Sequence, residues 1–262
     1  MKSFSILVLP IILLLCCAPN ETGQEPFVPR SADDVREDFQ NLGLDAGIND
    51  ITLESAVENV FWNFRVIIPE GIDNNSNVPL IMRLHGGARN SSADAHKSTN
   101  CLVGPAFENT DAIIISPNSN GELWYDQNNQ VQVLALIDLA TTYLPIDANK
   151  VVIMGYSDGG NGSFFFAQYY TSLFAAAIPM ATSYNPVNSN GIVEKIDIPI
   201  YAIHGSNDQL FPIEVTQGYI NQLVDAGTDI TFSVAPGLDH YSVCDYLSYL
   251  NNAVDWLETT IW

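Results

Sequence analysis

Residues 150–162 read KVVIMGYSDGGNG, and the fold turns on them. Val151 to Met154 is a short, wholly apolar run, the pattern of a strand covered on both faces. Gly155-Tyr156-Ser157-Asp158-Gly159-Gly160 then crowds glycines around a single serine, and a helix is expected through about residue 171. A strand that enters a helix through so tight a turn has no room for Cβ atoms beside it, which explains the glycines. Such a turn strains the serine's backbone and points its hydroxyl out of the sheet.

The same alternation extends in both directions. Strand patterns occupy Phe61 to Ile68, Val78 to Leu84 and Ala112 to Ile115 on the N-terminal side. On the C-terminal side they occupy Ala175 to Ile178, Ile198 to Ile203 and Ile230 to Val234. Apolar residues spaced by three and four predict a helix over 130–143; others are expected near 212–226 and about 244–259. Residues 34–60 suit neither pattern clearly. Apolar strands alternating with amphipathic helices predict an α/β domain with a mostly parallel sheet covered on both faces. No repeat or shift of composition divides it, so residues 34–262 are expected to form one domain. Ligands of such sheets bind beyond the carboxyl ends of the strands.

Ahead of this domain stands Lys2, then an apolar run from Phe4 to Leu15 broken only by Ser5 and Pro10. That run suits a signal peptide over residues 1–17 and is too short to span a bilayer. Leu14-Leu15-Cys16-Cys17 resembles a bacterial lipoprotein signal, which makes Cys17 the expected site of lipidation and of a membrane tether. An ordinary signal peptide is the other reading. Residues 18–33 are polar with three prolines and read as a flexible tether. The expected location is outside the cell or on its envelope.

Nine Lys and Arg face thirty Asp and Glu, a net charge of −21. Such a surface repels nucleic acid and anionic headgroups and suits a neutral substrate. Cys101 and Cys244 are the only cysteines of the domain, placed to form a disulfide after export or to remain two buried thiols. No cysteine or histidine spacing suggests a metal site.

A serine hydroxyl attacks only if a base removes its proton, and histidine is the usual base. Of four histidines, His85 ends a strand before Gly86 and is expected to shape a loop. His96 lies in a polar stretch and is expected to be exposed, and His204 closes a strand. His240 lies in the loop APGLDHYS between the last strand and the last helix, which leaves it as the candidate base. The acid that orients it should leave a strand end between the two. Asp208, four residues beyond the strand ending at His204, meets this requirement. Asp239 adjoins His240 too closely, and Asp197 lies at the wrong end of its strand. An oxyanion needs backbone donors. The Asp158 amide follows the nucleophile, and the His85-Gly86-Gly87 loop brings a second, Gly87 being favoured over Gly86. Trp124, Tyr125, Phe211 and Tyr241 fall in loops at the same end of the sheet. They are candidates for a substrate pocket or for ordinary packing.

LHGG after a strand, GYSDGG, HGSNDQLFP and a late histidine together resemble the α/β-hydrolase superfamily. Residues 78–262 are similar, more narrowly, to the secreted polyhydroxybutyrate depolymerase and feruloyl esterase-like group. The most specific stretch runs from Trp124 through YLPIDANKVVIMGYSDGG. The resemblance implies an α/β-hydrolase fold, a three-layer sandwich with helices on both faces. It also implies ester hydrolysis through Ser157, Asp208 and His240 without a cofactor, on small-molecule or polysaccharide-linked esters. The depolymerases often carry a tryptophan near the histidine, where this chain has Tyr241-Ser242. A prolyl-oligopeptidase-type peptidase and a non-catalytic surface-displayed binding protein are the rival readings.

Overall fold

The computed structural model describes residues 29–262. The expected signal peptide, Cys17 and most of the tether therefore lie outside the described residues. The tether's last residues do not behave as a linker. Ser31 caps helix α1 (Ala32–Gln40) through a reciprocal capping box with Asp34, and Arg30 donates to the Ser55 and Glu54 carbonyls. The domain thus begins before residue 34, because the capping side chains and Arg30 are held by the fold.

Eight strands follow: β1 (Gly47–Glu54), β2 (Phe61–Ile68), β3 (Val78–Leu84), β4 (Ile113–Pro117), β5 (Ile146–Tyr156), β6 (Ala176–Met180), β7 (Ile200–Gly205) and β8 (Ile230–Ala235). The remaining helices are α2 (Val103–Ala106), α3 (Gln127–Tyr143), α4 (Asp158–Tyr169), α5 (Ile213–Asp225) and α6 (Leu247–Trp256). The sheet order is β1-β2-β4-β3-β5-β6-β7-β8. Strands from β4 to β8 run parallel, and β1 and β2 add an antiparallel edge. Residues 34–60 thus form α1 and edge strand β1. Asp50 of β1 sits opposite Arg65 of β2 and takes a two-pronged ion pair, Nε–Oδ1 at 2.8 Å and Nη2–Oδ2 at 2.9 Å.

Strand alternation splits the core into two layers. Leu80, Met82, Leu84, Ile113, Ile115, Val151 and Ile153 face α1, α3, α4 and α5. Ile81, Ile114, Val152 and Met154 face α2 and α6 with Ile178 and Ile203. This is the three-layer α/β-hydrolase architecture. The chain leaves β3 toward β4 on one side and returns to β5 on the other. The carboxyl ends of β3 and β5 therefore diverge at a topological switch point, where a crevice opens.

Cys101, just before α2, is disulfide-bonded to Cys244, just before α6, with Cα atoms 5.0 Å apart. The bond closes a span of 143 residues on one face of the sheet.

Candidate active site

Ser157 sits between β5 and α4 with φ 58° and ψ −120°, a region costly for any residue with a Cβ, by about 1–3 kcal/mol. Two contacts hold the strain. The Ser157 amide donates to the Met180 carbonyl at 2.9 Å, and its carbonyl accepts from Asn161 at 3.0 Å. The flanking glycines leave the needed space. A Cβ on Gly155 would lie 2.2 Å from the Gly159 carbonyl oxygen, and one on Gly159 would lie 2.0 Å from that of Leu84. Helix α4 begins directly at Asp158, so Gly159, Gly160 and Gly162 lie inside the helix. Each is needed where the helix meets β3, β6 or Trp124 too closely for a side chain.

The structure brings together the three residues expected to act with one another. His240 Nε2 lies 2.8 Å from Ser157 Oγ. His240 Nδ1 lies 2.8 Å from Asp208 Oδ2. The other carboxylate oxygen of Asp208 accepts from the Leu210 and Phe211 amides at 2.9 and 2.8 Å. Both oxygens are thus occupied and the carboxylate cannot rotate. Asp208 is buried, and His204 Nε2 stands 3.7 Å from Oδ2, too far for a hydrogen bond. His204 instead points Nε2 at the Phe211 carbonyl, 2.8 Å away, which shapes the acid loop.

Above the serine, the loop after β3 passes so closely that a Cβ on Gly86 would sit 3.2 Å from Ser157 Cβ. Gly87 follows in the left-handed region at φ 63°. The Asp158 amide is the first of α4 and has no acceptor within the helix. Its carboxylate turns back and accepts from the Ala88 amide at 2.9 Å, fastening the Gly86-Gly87 loop to the nucleophile turn. His85 anchors the base of this loop. Its Nδ1 donates to the Gly86 carbonyl at 2.8 Å, and its Nε2 accepts from the Ser119 amide at 3.1 Å. Burial pushes the ring's pKa down to about 4, consistent with a neutral imidazole whose two nitrogens serve one donor and one acceptor role.

His96 corrects an expectation: it is buried, its Nδ1 3.2 Å from Asn118 Nδ2. The polar segment folds under the end of β4, where Asn118 also takes the Ser92 and Ala93 carbonyls.

The four aromatic candidates divide. Trp124 is fully buried, its Nε1 donates to the His85 carbonyl at 2.9 Å, and its ring meets the His85 edge. It is a core residue. Tyr125 is half exposed, but its ring faces Phe165. Phe211 and Tyr241 do flank His240, with ring centroids 5.2 and 5.7 Å away; Tyr241 is 81% exposed. Beside them, Leu210, Pro212, Ile213, Asp239 and Tyr241 help line a cavity of about 650 Å3 that Asp208 and His240 border. An apolar cleft of about 380 Å3 between α1 and α3 contains none of the three.

Sequence reading missed two features behind the histidine. Tyr156 Oη donates to the His240 carbonyl at 2.8 Å. Tyr246 Oη donates to the Asp239 carbonyl at 3.2 Å. Nothing local in the sequence pairs residues 84 positions apart; the only signal was a tyrosine on the strand next to the serine.

No curated protein sequence matches the chain. Among solved structures, a thermostable esterase aligns with TM-score 0.68 at 19% identity, over 80% of this chain and 62% of that one. Esterase 2 of Thermogutta terrifontis phosphorylated by paraoxon aligns with TM-score 0.65 at 16% identity, over 82% and 95%. FphF, a fluorophosphonate-binding serine hydrolase of Staphylococcus aureus, aligns with TM-score 0.65 at 18% identity, over 80% and 98%. At these identities the likeness is one of fold. The Dienelactone hydrolase family matches residues 116–255, from β4 through α6 and including all three clustered residues. On that match, over more than half its length, the chain belongs to the Dienelactone hydrolase family.

Proposed function

We propose that the protein is an exported serine esterase that hydrolyses carboxylic esters through an acyl-enzyme. One observation carries this reading: the continuous chain from Ser157 Oγ through His240 to Asp208, mounted on a strained turn at the switch point. His240 accepts the Ser157 proton as the hydroxyl attacks the ester carbonyl. The amides of Gly87 and Asp158 receive the oxyanion, and His240 returns the proton to the leaving alcohol. Water then repeats the cycle and releases the acid.

The substrates we propose are short hydroxyalkanoate esters or acyl and feruloyl groups linked to polysaccharide. Three observations support neutral esters of this kind: the net charge of −21, the aromatic flanks Phe211 and Tyr241, and the motif resemblance over residues 78–262. Export is proposed from the apolar run at Phe4 to Leu15, with lipidation at Cys17. The Cys101–Cys244 bond supports an oxidising compartment.

The test is hydrolysis of short p-nitrophenyl esters and methyl ferulate by the wild type and Ser157→Ala. We expect ester turnover that falls roughly 10^4-fold or more in the variant. A folded wild type inert on every ester but active on aminoacyl-p-nitroanilides would replace this reading with a peptidase.

A further inference from the structure

We infer that Tyr156 and Tyr246 are positioning residues for the base, two buried hydroxyls that hold the backbone of the His240 loop at the height the nucleophile requires. The inference rests on the proposed triad. The imidazole of His240 is oriented at its ring by Asp208, but its backbone lies in a loop, Pro236 to Ser242, between β8 and the turn before α6. Loops move unless their polar groups are tied. Here the carbonyls of two successive residues are tied from below. Tyr156 takes the one on His240 at 2.8 Å, and Tyr246 takes the one on Asp239 at 3.2 Å.

The attachment points matter as much as the bonds. Tyr156 immediately precedes Ser157, so nucleophile and base share a closed circuit. One link runs from Ser157 Oγ to His240 Nε2 at 2.8 Å. The other runs from the neighbouring residue's hydroxyl to the base's own carbonyl. Any shift of the His240 loop away from the serine must therefore break the Tyr156 bond. Tyr246 is anchored in turn by Cys244, two residues before it, whose disulfide reaches Cys101.

Packing makes both phenols rigid. Tyr246 is fully buried, and its ring meets Tyr156 edge-on at 5.5 Å. Tyr156 also lies against the His240 ring, centroids 5.7 Å apart. The Tyr246 hydroxyl presses against β7: a Cβ on Gly205 would lie 2.2 Å from it. Burial first, and then nearby negative charge, pushes the Tyr246 hydroxyl up to about 12. It pushes Tyr156 up as well. Both groups thus remain protonated donors wherever the enzyme works.

The experiment compares full-length wild type, Tyr156→Phe, Tyr246→Phe, Tyr170→Phe and Ser157→Ala on p-nitrophenyl acetate, with thermal unfolding of each. Tyr170 is the control, since its hydroxyl bonds Gln130 Oε1 at 2.6 Å at the far end of α4. Loss of the Tyr156 hydroxyl should lower kcat about tenfold with KM within about twofold, because a misplaced base slows chemistry without weakening binding. Tyr246→Phe should lose about threefold in kcat, and Tyr170→Phe should stay within about twofold of wild type. A Tyr156→Phe enzyme as fast as the wild type overturns the inference, as does a control that falls as far. If Tyr156→Phe does not fold, Tyr246→Phe decides in its place: a kcat equal to wild type overturns the inference, and a threefold fall supports it. Activity surviving in Ser157→Ala refutes the triad itself, a result distinct from an inert Ser157→Ala beside an unimpaired Tyr156→Phe.

Discussion

At the scale of single residues, Asp208 shows how a fixed carboxylate dictates a proton's position. Oδ1 is committed to two amides and Oδ2 to His240. In Asp208→Asn, the amide oxygen keeps the two backbone donors, and the NH2 group is left facing His240 Nδ1. The ring must then carry its proton on Nε2, opposite Ser157, where it cannot accept another. We expect kcat to fall on the order of 10^4-fold with little change in stability, read by ester hydrolysis and urea unfolding of the same sample. His85 works by a different balance. Its ring is held neutral with a pKa near 4, against 6.5 for an unshielded imidazole. The unfolded chain therefore binds a proton that the folded one refuses between these values. Stability is complete above about pH 6.5 and declines as pH falls toward 4, by on the order of 3 kcal/mol from this residue. Burial lowers His96 and His204 in the same direction. The urea midpoint should drop from pH 7 to pH 4.5, and an unchanged midpoint would contradict the buried neutral rings.

At the scale of elements, glycine has opposite values in two helices of similar length. In α4 a Cβ on Gly159 would meet the backbone of β3 at 2.0 Å, whereas nothing lies within 4 Å of one on Gly218 in α5. Gly159→Ala should destabilise by about 1–3 kcal/mol or more, and Gly218→Ala should stabilise by roughly 0.5–1 kcal/mol. Chemical unfolding of the two variants checks both signs. The elements also show what can be read from a chain alone. Strands β2 and β3 were legible to the residue because each is a mostly apolar stretch closed by a sharp break, Pro69 after β2 and His85-Gly86 after β3. Ser157, Asp208 and His240 were legible because strand ends are, and only a few polar residues follow them. Strand β1 was not, since GINDITLE alternates on a half-exposed edge and owes its place to pairing with β2. Trp124 stayed open between pocket and packing because a loop aromatic looks the same in sequence whether it faces solvent or, as here, hydrogen-bonds inward to the His85 carbonyl.

At the scale of the whole molecule, one covalent tie links the segments leading into α2 and α6 on a single face of the sheet. The Cys101–Cys244 bond constrains a span of 143 residues, which in the unfolded chain is worth roughly 4–5 kcal/mol of lost entropy. Because Cys244 lies just beyond His240, the bond secures both the domain and the base loop. Cys101→Ser/Cys244→Ser should unfold at a lower temperature by several degrees and lose about 2–4 kcal/mol in urea. Calorimetry with equal stability in both proteins would contradict this.

The central claim is that Ser157 is the nucleophile, and covalent capture tests it most directly. The protein would be treated with a fluorophosphonate and its peptides examined by mass spectrometry, beside Ser157→Ala. The account predicts a single phosphonyl adduct on the peptide bearing Ser157, and none in the variant. A folded wild type that stays unmodified, or an adduct that persists in Ser157→Ala, would contradict it.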